Sequence, residues 1–181
     1  IKGLLPKMDG VVLSDYGCGT ITPKLRTSLL AACHHKGIPT IVDSRYAIGD
    51  FAGVDYVKQN DAELAAAVGR TLPDEDAIYD AAQELLQKLG AQGVLITRGE
   101  NGMVLLEKSG AIHNIPVSDR SEVYDVSGAG DTCVAVMILA LAAGVEPVRA
   151  AELSNVAAGI AVRKLGTATV SVEELNCALA D

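Results

Sequence analysis

Val54-Asp55-Tyr56-Val57-Lys58-Gln59-Asn60-Asp61-Ala62-Glu63-Leu64-Ala65-Ala66-Ala67-Val68-Gly69 holds two periods in one short stretch. Val54 to Val57 is a β-prone apolar run, and Asn60 then opens an alanine-rich helix that Gly69 stops. The same unit recurs on either side. Upstream, Val11 to Leu13 predicts a strand, followed by a loop from Ser14 to Ile21. Thr22-Pro23 caps and starts a helix to about His35, Lys36-Gly37 ends it, and Pro39 to Val42 is the next strand. Downstream, Asp74 to Leu89 is an amphipathic helix closed by Gly90, and Gly93 to Thr97 is a strand. Met103 to Leu106 follows the turn Gly99-Glu100-Asn101-Gly102, and Ala111 to Ile115 can pair with it as a hairpin. From Gly130 the pattern turns helical: one helix to about Ala143, one from Pro147 to about Val162, and a last from Val172. Strands alternating with helices predict a mainly parallel sheet covered on both faces.

The 181 residues, 49% hydrophobic but only 3% aromatic, suffice for one α/β domain with a core of Ala, Val, Leu and Ile. A net charge of −8 and no strongly basic window argue against nucleic-acid binding. The four cysteines (Cys18, Cys33, Cys133, Cys177) form no CxxC pair, so neither a zinc site nor a disulfide framework is expected. Scattered reduced thiols point to the cytoplasm. The longest apolar run, Cys133 to Ala143, is shorter than the roughly 20 residues a membrane helix needs. The opening Ile1-Lys2-Gly3 is neither an initiator Met nor a signal peptide, and suggests a start partway through a longer protein.

Chemistry is concentrated in Asp125-Val126-Ser127-Gly128-Ala129-Gly130-Asp131-Thr132, which runs into the helix. Amides of a helix's first turn lack intrahelical partners, so Gly128, Ala129 and Gly130 can nest an anion at the positive end of the helix dipole. Asp131 beside them would stay ionised, as a general base must. Spacing alone equally allows a tight turn with Asp131 as a cap. Asn60 and Glu63 share a helix face and also fit a capping box. Gly99 and Gly102, after Thr97, either let backbone approach a ligand or make a β-turn.

Together these segments resemble the PfkB, or ribokinase-type, carbohydrate kinases. The block Asp125 to Thr132 is similar to that family's C-terminal signature, Asn60-Asp61-Ala62-Glu63 to its Asn-x-x-Glu motif, and Thr97 to Gly102 to its nucleotide loop. Asn155 to Gly159 and Gly166 to Val170 resemble its C-terminal end. The resemblance implies a ribokinase-like three-layer α/β/α fold, with residues 1–181 as the C-terminal nucleotide-binding and catalytic part of a single kinase domain. It implies phosphoryl transfer from ATP to a hydroxyl of a sugar or sugar phosphate. Asp131 would be the base and the Gly128–Gly130 amides the anion hole. Asn60 and Glu63 would organise Mg²⁺ through water, Thr97, Gly99, Gly102 and Asn155 would adjoin the nucleotide, and Asp125 would help hold a monovalent cation, K⁺. Within the family, Leu13-Ser14-Asp15-Tyr16-Gly17, Thr97-Arg98-Gly99-Glu100 and Asn155 to Val170 are most similar to bacterial heptose-7-phosphate kinases of the bifunctional kinase/adenylyltransferase type. Cys18, Asp43-Ser44-Arg45 and Gln59 depart from the residues usual there. The family's Gly-Gly sugar segment and β-sheet lid, which forms a homodimer contact in several members, are not recognisable. A truncated, non-catalytic nucleotide-binding fragment and a vitamin kinase of the same superfamily are the alternatives.

Overall fold

The computed structural model describes residues 3–118 and 124–180; Ile1 and Lys2, on which the expected missing start rests, lie outside them. Six strands form one sheet in sequence order: β1 (Val11–Asp15), β2 (Thr40–Ser44), β3 (Tyr56–Asn60), β4 (Gly93–Thr97), β5 (Met103–Glu107) and β6 (Ile112–Ile115). The first four are parallel, and β4, β5 and β6 form an antiparallel meander. The helices are α1 (Pro23–Lys36), α2 (Asp61–Val68), α3 (Glu75–Leu89), α4 (Ala129–Ala142), α5 (Pro147–Ala161) and α6 (Val172–Ala180).

Local chemistry sets the helix ends. Thr22 Oγ1 accepts from the Leu25 amide at 3.2 Å with Pro23 next in line, and Gly37 leaves α1 in the left-handed region at φ 64°. Asp74 caps α3, whose buried Ile78, Ala81, Ala82, Leu85, Leu86 and Leu89 repeat at helical spacing.

Alternation along the strands splits the core in two. Val42, Val57, Val94 and Ile96 face α1, α2 and α3, whereas Ile41, Leu95 and Leu105 face α4 and α5. Each such buried aliphatic side chain contributes about 1.5–3 kcal/mol. The result is the expected three-layer α/β/α arrangement. Among the described residues no helix is long and apolar enough to cross a membrane.

Several strands run past their expected ends, β1 to Asp15 rather than Leu13 among them. β3 begins at Tyr56 and runs on through Lys58 and Gln59 to Asn60, not from Val54 to Val57. The Asp55 carboxylate accepts from both the amide and the hydroxyl of Thr40, at 2.9 and 2.7 Å, which spends Asp55 on a staple before the strand. Beyond Val57, pairing of Lys58, Gln59 and Asn60 with Leu95, Ile96 and Thr97 carries the ladder on. Likewise β2 extends to Ser44 rather than stopping at Val42.

Candidate active site

The parallel strands β1 to β4 end together at Asp15, Ser44, Asn60 and Thr97, and α4 starts over the same edge. Ligands of open α/β sheets bind at this carboxyl edge. Two clefts meet there. One, about 450 Å³, is largely apolar and includes Thr97, Gly99, Gly102, Ala129, Gly130 and Asn155 in its wall. The other, about 170 Å³, is polar and includes Tyr16, Arg45, Lys58, Glu63, Gly130 and Asp131. Gly130 lines both.

The glycine turn before α4 divides its labour. Gly128 is the left-handed residue at φ 81°, and a Cβ there would lie 3.0 Å from Thr167 Cγ2. The Ala129 amide closes the turn on Val126 O at 3.2 Å, so in this conformation it is engaged. At Gly130 a Cβ would lie 2.8 Å from Lys58 Nζ, so a side chain there would have to push the ammonium aside. Asp131 turns into the polar cleft and accepts from the Tyr16 hydroxyl at 3.1 Å. The Asp131 charge, helped by this hydrogen bond, pushes the Tyr16 phenol above its ordinary pKa.

Asp125 stands outside both clefts and ties two loops together. Its carboxylate accepts from the Ser127 amide at 2.9 Å and from the Gly166 amide at 3.0 Å. Bonding to Ser127 first, and then to Gly166, holds it below the usual Asp range. Asn60 also lies outside the clefts. Its Oδ1 accepts from the Glu63 amide at 2.8 Å while the Asn60 amide donates to Glu63 Oε2 at 2.9 Å, a complete capping box. Glu63 nevertheless lines the polar cleft. Asn155 is 7% exposed and donates to Pro116 O at 2.7 Å, which fastens α5 beside the segment after β6.

Sequence reasoning missed the most buried charges of the site. Lys58 Nζ lies 2.9 Å from Asp43 Oδ2, with side-chain exposures of 6% and 18%. The two are register neighbours on β3 and β2 and face α4. Burial, only partly offset by Lys58, pushes the Asp43 carboxyl up. Burial works to lower the Lys58 ammonium, but Asp43 outweighs it, with Glu63 adding, and the net direction is up. Period-two counting from Tyr56 would have placed Lys58 under α4, had β3 been drawn long enough.

Comparison with known proteins fits this geometry. Residues 4–175 match the sequence profile of pfkB family carbohydrate kinases. The bifunctional protein HldE of Paramagnetospirillum magneticum is 42% identical over 182 residues, covering 99% of this chain and 37% of that protein. HldE of Coxiella burnetii is 41% identical over 186 residues, covering 98% and 38%. The chain thus spans little more than a third of the curated relatives it matches. Among solved structures, phosphofructokinase-2 from Escherichia coli in complex with potassium superposes with a TM-score of 0.83 at 25% identity, covering 99% of this chain and 59% of that one. Arabidopsis thaliana ribokinase complexed with ribose and ATP gives 0.86 at 20% identity, covering 99% and 58%, a likeness of fold.

Proposed function

Because the chain belongs to the pfkB family of carbohydrate kinases, we propose that its two clefts bring ATP and a sugar or sugar-phosphate hydroxyl together for phosphoryl transfer. The observation that carries this reading is Gly130, shared between an apolar cleft suited to a nucleotide base and a polar cleft that contains Asp131. Residues 1–181 are then the C-terminal nucleotide-binding and catalytic part of one kinase domain.

Thr97, Gly99, Gly102 and Asn155 would hold the nucleotide, with its phosphates directed at the first turn of α4. There the amides of the Gly128–Gly130 turn would favour negative charge, the Ala129 amide once it leaves Val126 O. Asp131 accepts the proton of the acceptor hydroxyl as the oxygen attacks in line. Tyr16 orients the carboxylate through its hydrogen bond. Among the described residues no cluster of three or more His, Cys, Asp or Glu could cage a metal. That suits Mg²⁺ held by phosphate oxygens and water, with Glu63 as the outer carboxylate; bound so, it would neutralise phosphate charge. Asp125, joining the 125–128 turn to the Gly166 loop, is the residue that would face a monovalent cation such as K⁺. The match to HldE proteins favours a phosphorylated heptose, heptose 7-phosphate, as acceptor, with Arg45 at the cleft mouth as a phosphate contact. A cytoplasmic enzyme that pairs as a homodimer in its complete form belongs to the same reading.

Asp131→Asn in the complete protein tests it. Asn keeps the size but cannot take the proton, so kcat should fall by about 100-fold or more. ATP affinity, measured by calorimetry, should stay level or rise slightly. A variant that keeps most of its turnover would reduce Asp131 to a helix residue and overturn the assignment.

A further inference from the structure

The Tyr16 hydroxyl spans both oxygens of the Asp131 carboxylate, 3.1 Å from Oδ1 and 3.4 Å from Oδ2. A donor set between the two oxygens leaves no room for a second hydroxyl in the same seat. An acceptor hydroxyl must come to the same hydrogen-bonding distance before it gives up its proton. The tyrosine is built both to hold this position and to leave it. Its backbone is pinned: the Asp15 carboxylate accepts from the Gly17 amide at 3.0 Å and from Ser44 Oγ at 2.8 Å, and the Arg45 amide donates to Asp15 O at 3.1 Å. Gly17 turns the chain at φ 73°, and a Cβ there would lie 2.9 Å from the Tyr46 ring, which packs down on the turn. The Tyr16 side chain is 57% exposed, so rotation about χ1 can carry its hydroxyl away while the backbone stays in place.

We propose that Tyr16 sets specificity for a sugar over water: its hydroxyl keeps the acceptor's seat on Asp131 until a sugar hydroxyl displaces it. This rests on the phosphoryl-transfer reading above. With a sugar, the acceptor oxygen bonds to the γ-phosphorus as the bond to the β,γ-bridging oxygen breaks. The hydroxyl proton passes to Asp131, and ADP leaves with the bridging electron pair. With water in that seat the same step would yield ADP and inorganic phosphate, and the ATP would be spent for nothing. The two acceptors differ in what they bring. Water must displace the Tyr16 hydroxyl from a charged partner with a single molecule's hydrogen bonds. A sugar adds the contacts of its whole body with the cleft, and those contacts drive the exchange. One bond thus orients the carboxylate and withholds it from water.

Tyr16→Phe in the complete protein tests this, because Phe keeps the exposed ring and loses only the hydroxyl. ATP hydrolysis with Mg²⁺ and no sugar, followed by phosphate release, should rise about tenfold, the scale of one hydrogen bond to a charged group. KM for heptose 7-phosphate should fall, since the sugar no longer has a hydroxyl to displace. A tyrosine that only orients Asp131 predicts the reverse, with hydrolysis and sugar transfer both slowed. Adding Asp131→Asn to Tyr16→Phe should abolish the extra hydrolysis, which ties it to that carboxylate. Hydrolysis unchanged or slower in Tyr16→Phe would overturn the proposal. So would a phosphate found on Tyr16 by mass spectrometry after incubation with ATP alone, because the hydroxyl would then be an acceptor itself. If Asp131→Asn loses sugar transfer while Tyr16→Phe hydrolyses ATP no faster, only the Tyr16 role falls. If Asp131→Asn transfers normally, the kinase reading falls with it.

Discussion

Gly102 sits at φ 78°, and a Cβ there would run into Ile115 O, with Val117 N at 2.8 Å. Gly99, at φ 54°, opens on empty space. The two glycines of one loop therefore do different work. Gly99→Ala should cost about 1 kcal/mol, the backbone penalty alone. Gly102→Ala should cost about 2 kcal/mol or more, because the start of β5 must also move away from the end of β6. It should weaken ATP binding too, since that displacement deforms the wall of the apolar cleft. Urea unfolding and calorimetry check both, and equal costs would mean the close approach can relax. At this scale the sequence signals glycine need well but cannot assign its cause, because Thr97 to Gly102 reads alike for a turn and for a ligand loop. Asp131 was legible as the residue after a glycine nest at a helix start. Lys58 was not. A lone Lys next to an expected strand end looks solvated, and only the pairing of β3 with β2 brings it to Asp43. Tyr16 was quoted within its motif, yet its bond to Asp131 spans 115 residues, which no local pattern encodes.

On the proposed reading the helix α2 carries a structural and a metal-facing role at one end, and they can be separated. Asn60→Ala removes the acceptor for the Glu63 amide and should cost about 1 kcal/mol of stability. Since Asn60 lies outside both clefts, kcat should change far less than stability. Glu63→Gln keeps an oxygen for the Asn60 amide but removes the charge facing the polar cleft. Its melting temperature should stay near the parent value while the Mg²⁺ concentration for half-maximal turnover rises. An unchanged Mg²⁺ requirement would leave Glu63 as half of a capping box and nothing more. Helices were the most legible elements because their ends are written in side chains: Thr22, Asn60 and Asp74 at the starts, Gly37, Gly69 and Gly90 at the stops. Strands carry no such punctuation. The staple between Thr40 and Asp55 and the ladder through Lys58 and Gln59 are long-range, so the sequence stops β1 and β2 short and places β3 two residues early. The alternation of strands and helices foretells the parallel strands, and the run from Met103 to Ile115 foretells the β5–β6 hairpin, both of which form; that β4 also pairs antiparallel with β5 follows from the tight turn at Gly99 to Gly102.

Across the whole molecule, the layer that carries α4 is the one that alkali should loosen first. Cys133, buried against Ser154, has its thiol pushed from 9.0 to about 11, chiefly by burial. Tyr56, packed on the same face of the sheet, is pushed to about 12, again chiefly by burial and then by Glu107. Both groups hold their protons more tightly folded than unfolded. The unfolded chain therefore loses them first, and stability falls as pH rises. For Cys133 the contribution is complete below about 9 and is lost progressively towards 11, on the order of 2–3 kcal/mol for a shift of this size. Lys58 acts in the same direction at still higher pH, because its raised ammonium pairs with Asp43 only while charged. In the α1–α3 layer, Cys33 is also raised, mainly by burial, which is why the two layers need separate probes. Urea unfolding at pH 7.5, 9 and 10.5 should show a declining free energy over this range. Cys133→Ala should start about 1 kcal/mol lower, from the lost packing of the sulfur, yet decline less steeply. The two stability curves should then cross at roughly pH 10, where the loss from Cys133 has passed the starting difference. Parallel curves would mean that Cys133 keeps no such hold on its proton in the fold, and that alkaline loosening begins in the other layer or at the Lys58–Asp43 pair.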